Sequence, residues 1–196
     1  MGRTLLTAEA QQTVVLYPGG IRARYRWSGS GQGAAVFALS EAGGELFEYG
    51  VEAGADFERL CRAELRVESP VGTWAARFAS PMFDAPAGLV WDTAALLVVK
   101  FGFRTYGLEA RTGRLRWSHR SGSPVLCVLG SSRLEHVLVQ AEIETFALEP
   151  DGQVRWRAAH SDVVAAAELV GGRLILTSYG GLVSALDPAT GRTLGR

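Results

Sequence analysis

Apolar residues along this chain fall in short runs separated by glycine-containing or acidic turns, with none of the sustained 3–4 spacing of long helices. Alternation and turn residues predict four short antiparallel strands at 125–129, 136–140, 143–148 and 153–157. This pattern recurs. The segments LVVKFGFRTYGLEARTGRLRW (97–117), VLVQAEIETFALEPDGQVRW (137–156) and LILTSYGGLVSALDPATGRTLG (174–195) each carry an apolar run, a polar break and a second strand ending in a small residue and Leu. An acidic turn then closes on Gly113, Gly152 or Gly191, each 39 residues after the last. The connecting segments match as well, with Ser80-Pro81 returning as Ser123-Pro124, so the repeat fills its whole period.

Toward the amino terminus the copies fade. Gly72-Thr73-Trp74 before Ser80-Pro81 can be laid on Gly113 to Trp117, and 37–47 imitates the strand at Phe146-Ala147-Leu148 out of phase. Residues 13–17 and 21–27 flank Pro18-Gly19-Gly20 and predict a hairpin. Between these, 56–66 carries Phe57, Leu60, Cys61 and Leu65 at helical spacing behind Asp56 as N-cap, which predicts one short helix.

Four strands in about 40 residues is the size of a β-propeller blade. The segment Ala-Leu-Asp-Pro-Ala-Thr-Gly-Arg at 185–192, preceded by Tyr179-Gly180-Gly181, resembles the repeat of the pyrroloquinoline-quinone-like family, over about residues 89–196. That resemblance implies an all-β fold, a small or incomplete propeller, related in architecture to WD40 domains. It also implies that Trp117 and Trp156 match the family's Trp, which docks between neighbouring blades. The third copy departs from the pattern, with Leu194 or Gly195 where Trp is expected. Dividing the length by the repeat gives about five units, of which three are clear, and 21–27 is a strand that could complete the last of them.

Composition narrows the function classes. Twenty basic and twenty acidic residues cancel, and the two halves differ by only a few charges, which argues against a polyanion or membrane surface as partner. The alternation Arg22, Arg24, Arg26 reads as the solvated face of a strand, as do Arg114 with Arg116 and Arg155 with Arg157. Cys61 and Cys127, without any CxxC, read as buried thiols. The first 16 residues lack a signal-peptide run, so a cytoplasmic location is expected. A single lysine, Lys100, beside nineteen arginines suits a GC-rich bacterial genome.

Candidate chemistry is sparse. His119, His136 and His160 have no metal-ligand spacing; His136 reads as a satisfied edge residue, whereas His119 and His160 sit at near-equivalent repeat positions and could share one rim. Glu142 and Glu144 read as an exposed pair on one side of a strand. Gly29-Ser30-Gly31-Gln32-Gly33 lacks the lysine and helix of a phosphate cradle and reads as a linker. Quinone-dependent dehydrogenases that share the repeat carry calcium ligands, a catalytic Asp and vicinal cysteines, none recognisable here. The expectation is therefore one propeller-like domain over 1–196, with 1–70 divergent and 71–196 repetitive. It is expected to be non-enzymatic, with no catalytic, cofactor or metal residues, and to act as a protein-interaction or scaffold module. A homodimer through an open sheet edge is an added option; nucleic acid and membrane are not expected as partners. The alternatives are a propeller binding a quinone-type ligand, or a degenerate fragment of an exported quinoprotein-like protein.

Overall fold

The fold is that of a computed structural model, which describes residues 10–30, 46–50, 56 and 59–195. Among these residues there is no α-helix, and sixteen strands form four sheets. The chain divides into two compact units, Met1–Pro86 with Arg111–Arg114, and Ala87–Ala110 with Leu115–Arg196.

The first unit is built on one five-stranded sheet. Its strands are β1 (Gln11–Tyr17), β2 (Ile21–Ser28), β3 (Leu46–Tyr49), β4 (Cys61–Ser69) and β5 (Gly72–Ser80), in the order β1-β2-β4-β5-β3. All neighbours are antiparallel except β3, which runs parallel to β5. The predicted hairpin is present as β1 and β2, joined through Pro18–Gly20, where Gly19 and Gly20 adopt positive φ. The predicted helix is not: its second half, from Cys61, is strand β4. The reason lies in the pattern. An i, i+4 pair such as Cys61 and Leu65 satisfies helical and strand periods alike, and Ala63 and Val67 complete a strict period of two. Cys61, Ala63, Leu65 and Val67 all point into the core beside Tyr25, Trp74 and Phe78. Phe57, and the look-alike strand at 37–45, lie outside the described residues. Strand β2 cannot complete the last repeat, because β1 and β4 already fill both its edges.

The second unit contains the clear repeats as three meanders. Strands β6 (Ala87–Trp91), β7 (Leu96–Phe101), β8 (Arg104–Glu109) and β9 (Leu115–Arg120) form one sheet; β10 (Val125–Leu129), β11 (Val137–Ala141), β12 (Glu144–Leu148) and β13 (Val154–Ala159) form the next. β14 (Val164–Val170), β15 (Arg173–Ser178) and β16 (Val183–Leu186) form the third. The four strands predicted in 125–157 thus appear with ends shifted by a residue or two. Strands β7, β11 and β12 are buried on both faces, which explains their continuous apolar runs. Two apolar seams result, one around Val98, Trp117, Val139 and Phe146, and one around Leu138, Ala147, Leu174 and Leu186.

A tryptophan-on-glycine contact recurs along the chain. Trp74 lies against Gly113 in the first unit, and in the second Trp117 lies against Gly152 and Trp156 against Gly191. Each of these glycines has a φ between 71° and 85°, and a Cβ on any of them would fall less than 3.0 Å from ring carbons. The position therefore needs glycine twice over, for its left-handed backbone and for the flat indole above it. The recurring turn glycine and the recurring Trp, separate signals in the sequence, are two halves of one joint. The wedge role expected of Trp117 and Trp156 is the one they have.

Candidate functional site: the seams between the last three sheets

The ladder registers give the equivalences between sheets. Thr105 pairs with His119 and Thr145 with Ala158, so His119 corresponds to Ala158. The amides of Ser121 and His160 bond Phe103 O and Ile143 O in the same way, so His160 corresponds to Ser121. His119 and His160 are therefore not repeat equivalents: β9 and β13 correspond end to end, and the two histidines fall two positions apart in that register. Both nonetheless connect to the same stretch of β12, His119 through Arg157 to Glu144 and His160 through Thr145.

Glu144 is buried, which corrects its reading as an exposed carboxylate. One oxygen accepts from the Ser121 hydroxyl at 2.8 Å and the Gly122 amide at 3.0 Å, while the other pairs with Arg157 Nε at 3.3 Å. Arg157 also donates to His119 Nε2 at 3.4 Å and lies over the Phe146 ring, against which His119 packs at 4.6 Å between centroids. Desolvation pushes the Glu144 carboxyl up, but Gly122, Ser121 and Arg157 outweigh it and hold it below the ordinary value. Burial lowers both His119 and His160, with Arg157 adding to the effect on His119 and Glu144 opposing it at both.

The pH dependence follows. A carboxylate with a lowered folded pKa stabilises the fold fully above its unfolded value and loses that contribution as pH falls through the folded one. Two histidines with lowered folded pKa likewise destabilise the fold on acidification, beginning near their ordinary 6.5. We expect stability to fall in two stages on acidification, below pH about 6.5 and again below about 4.5. In urea titrations the Glu144→Gln variant should show a smaller second stage while keeping the first, the remainder coming from Asp162 and Asp187, which are also held below their ordinary value. Glu144→Ala, which strands three donors in a buried site, should cost about 2 to 3 kcal/mol at neutral pH.

On the other side of the same sheet, Gln140 Nε2 donates to the carbonyls of Ala141 and Glu144, and Thr145 Oγ1 donates to Gln140 Oε1 at 2.5 Å. Thr145 Oγ1 and His160 Nε2 are 2.7 Å apart. His136 is buried; its Nε2 donates to Pro188 O at 2.8 Å while its Nδ1 has no partner, so its reading as a satisfied edge residue holds for one ring nitrogen only. That carbonyl corresponds to Pro150 O, which Trp117 Nε1 reaches at 3.0 Å. His136 has taken the acceptor that Trp156 would use, and Trp156 Nε1 is left without a partner.

Two cavities open among these sheets. One of about 360 Å³ is lined by Leu89, Trp91, Ser131, Leu134 and His136, among others. The second, of about 180 Å³, lies where the strands after Trp156 meet the last sheet and is lined by Ala158, His160, Asp162, Ser178, Ser184 and Leu186, among others. Neither was legible in the sequence, because each forms between strands distant along the chain.

The remaining candidates are structural. Arg22 pairs with Glu68 at 3.3 Å, Arg116 with Glu109 at 3.1 Å and Arg155 with Glu149 at 3.2 Å, on solvated faces as read. Cys61 is buried and Cys127 half-buried, and burial raises both thiols. Glycines 31 and 33 of the presumed linker lie outside the described residues. Among the described residues no group of three or more His, Cys, Asp or Glu is arranged to hold a metal ion, and no helix is long and apolar enough to cross a membrane.

These sheets, meandering and stacked face to face, define a propeller-type fold. Solved structures agree. The chain is similar to the computationally designed Ika8 protein (12% identity over 93% of this chain and 59% of that one, TM-score 0.54). It is similar also to the dihydro-heme d1 dehydrogenase NirN (16%, 75% and 36%, TM-score 0.53), and to the WD40 domain of Pan2 from Neurospora crassa (17%, 70% and 45%, TM-score 0.50). It spans less than two thirds of the length of each of them. Residues 106–194 match the family model described as outer membrane protein assembly factor BamB, so the repeats there are of the pyrroloquinoline-quinone-like type. The chain has no match among curated proteins.

Proposed function

We propose that the protein is a non-enzymatic, cytoplasmic interaction module that binds a protein partner through its last sheet. The observation that carries this reading is the exposure of β14–β16. Tyr179, Leu182 and Val183 are 78%, 53% and 55% exposed and group at the turn between β15 and β16, while Val170, 57% exposed, lies at the other end of the same sheet. The corresponding middle strand pair of the preceding sheet, β11 and β12, is buried on both faces. Apolar side chains grouped at a sheet edge are a surface for association. Beyond β15, the backbone of strand β16 pairs with Thr193 and Leu194. Affinity purification from the native host should retain a discrete partner with the wild-type chain and lose it with a Tyr179→Lys, Val183→Lys variant of unchanged melting temperature. Equal retention by both, or no partner and a plain monomer by sedimentation, would overturn the reading.

The cavity of about 360 Å³ beside Trp91 favours a second reading, a small-molecule or quinone-type ligand, since it falls within the usual range for such sites, roughly 300 to 1,000 Å³. Calorimetric titration with pyrroloquinoline quinone and calcium decides it; saturable heat that Trp91→Ala removes would support this reading, and its absence would end it.

A further inference from the structure

The two seams of the second unit are built to one plan and filled differently. In the first, Phe146 projects between β7–β9 and β11–β13, with His119 against its ring. In the second, the residue corresponding to Phe146 is Ser184, because Phe146 pairs with Val139 and Ser184 with Leu176 at the same place in the repeat. The residue corresponding to His119 is Ala158. The aromatic ring and the imidazole packed against it have thus been replaced together by two small side chains, and both line the cavity of about 180 Å³. A cavity of about 150 Å³ is enough to hold a benzene molecule.

We propose that this seam cavity receives a tyrosine side chain from a protein partner, restoring the ring that Phe146 supplies one sheet earlier. The assignment rests on the interaction reading above and adds the chemistry of the contact. Phe146 shows what the seam accommodates. Leu176, Leu186 and Val164 give an apolar floor, as Val139, Leu148 and Val125 do under Phe146. The walls are polar: His160, Asp162, Ser178 and Ser184 border the cavity. A ring carrying a hydroxyl suits that lining better than a bare phenyl. Asp162 accepts from the Val163 amide at 2.8 Å, and Ser178 from the Leu182 amide at 3.2 Å, so both groups are held in place. Leu182 belongs both to the cavity wall and to the exposed patch, so a partner lying on β16 passes the opening.

The test uses the full chain, p-cresol and toluene as probes of the two side chains, and the capped peptide acetyl-Gly-Gly-Tyr-Gly-Gly-amide. The wild type should bind p-cresol saturably with amide shifts at Ser178, Leu182 and Ser184, about tenfold more tightly than toluene, the worth of one good hydrogen bond. The peptide should shift the same amides. Ser184→Phe, which rebuilds the filled seam, should abolish both with the melting temperature held or raised; should it misfold, Ala158→Leu blocks the cavity from the opposite wall. Absence of binding, binding unaffected by the blocking variant, or binding of p-cresol without the peptide would each overturn the proposal. A partner retained unchanged by Ser184→Phe but lost with Val183→Lys would remove the cavity assignment and leave the interaction reading standing. Peptide binding without any retained partner would do the reverse.

Discussion

Trp117→Ala should unfold the second unit at markedly lower denaturant than the wild type, with a loss of about 3 to 5 kcal/mol. The indole is buried, and it belongs to the seam with Val98, Val139 and Phe146. Truncation removes that burial, empties the space over Gly152 and strands the Pro150 carbonyl, which now accepts from Nε1. The loss should exceed that of Trp156→Ala, since Trp156 is only half-buried, lies in a sheet followed by fewer strands and has no partner for its Nε1. Equilibrium urea unfolding of the two variants checks the order. Equal costs, or an unchanged midpoint for Trp117→Ala, would show that the contact is incidental.

The second large effect comes from the other half of the joint. Gly152→Val places a branched side chain at a φ of 85°, where its Cβ would enter the Trp117 ring. Backbone strain of about 1 to 3 kcal/mol adds to overpacking of about 1 to 3 kcal/mol, so we expect a loss of about 2 to 6 kcal/mol in all. The two mutations should not add. With Trp117 already truncated, the clash disappears and only the backbone strain remains, so the double variant should be about 1 to 3 kcal/mol more stable than the sum predicts. Strict additivity in this double-mutant cycle would separate the glycine from the tryptophan.

How much of this was legible in the sequence depends on what each feature needs. The repeat, its strands and the wedge tryptophans depend on local alternation and on turn residues, and they were read within a residue or two. Residues 61–66 misled because Cys61 and Leu65 are four apart, a spacing common to helix and strand; the deciding residues were Ala63 and Val67, too small or too late to enter the helical pattern. Glu144 misled for a different reason. Beside Glu142 it looks like one more surface acid, and only the fold brings Ser121, Gly122 and Arg157 around it. The equivalence of His119 with Ala158 was hidden too, since counting from Trp ignores where the ladder places each residue. Yet the clue to the cavity was present: Phe146-Ala147-Leu148 returns as Ser184-Ala185-Leu186. That exchange of Phe for Ser gains meaning only once the facing residue is known to be small as well.

The central claim is that the last sheet is the surface on which a partner docks. Site-specific photocrosslinking in the native host tests it most directly, with benzoylphenylalanine in place of Val183 on β16 or of Val154 on β13, both exposed in the free chain. A discrete adduct from position 183 and none from position 154 is the expected result. No adduct from 183, or the same adduct from both positions, would contradict it.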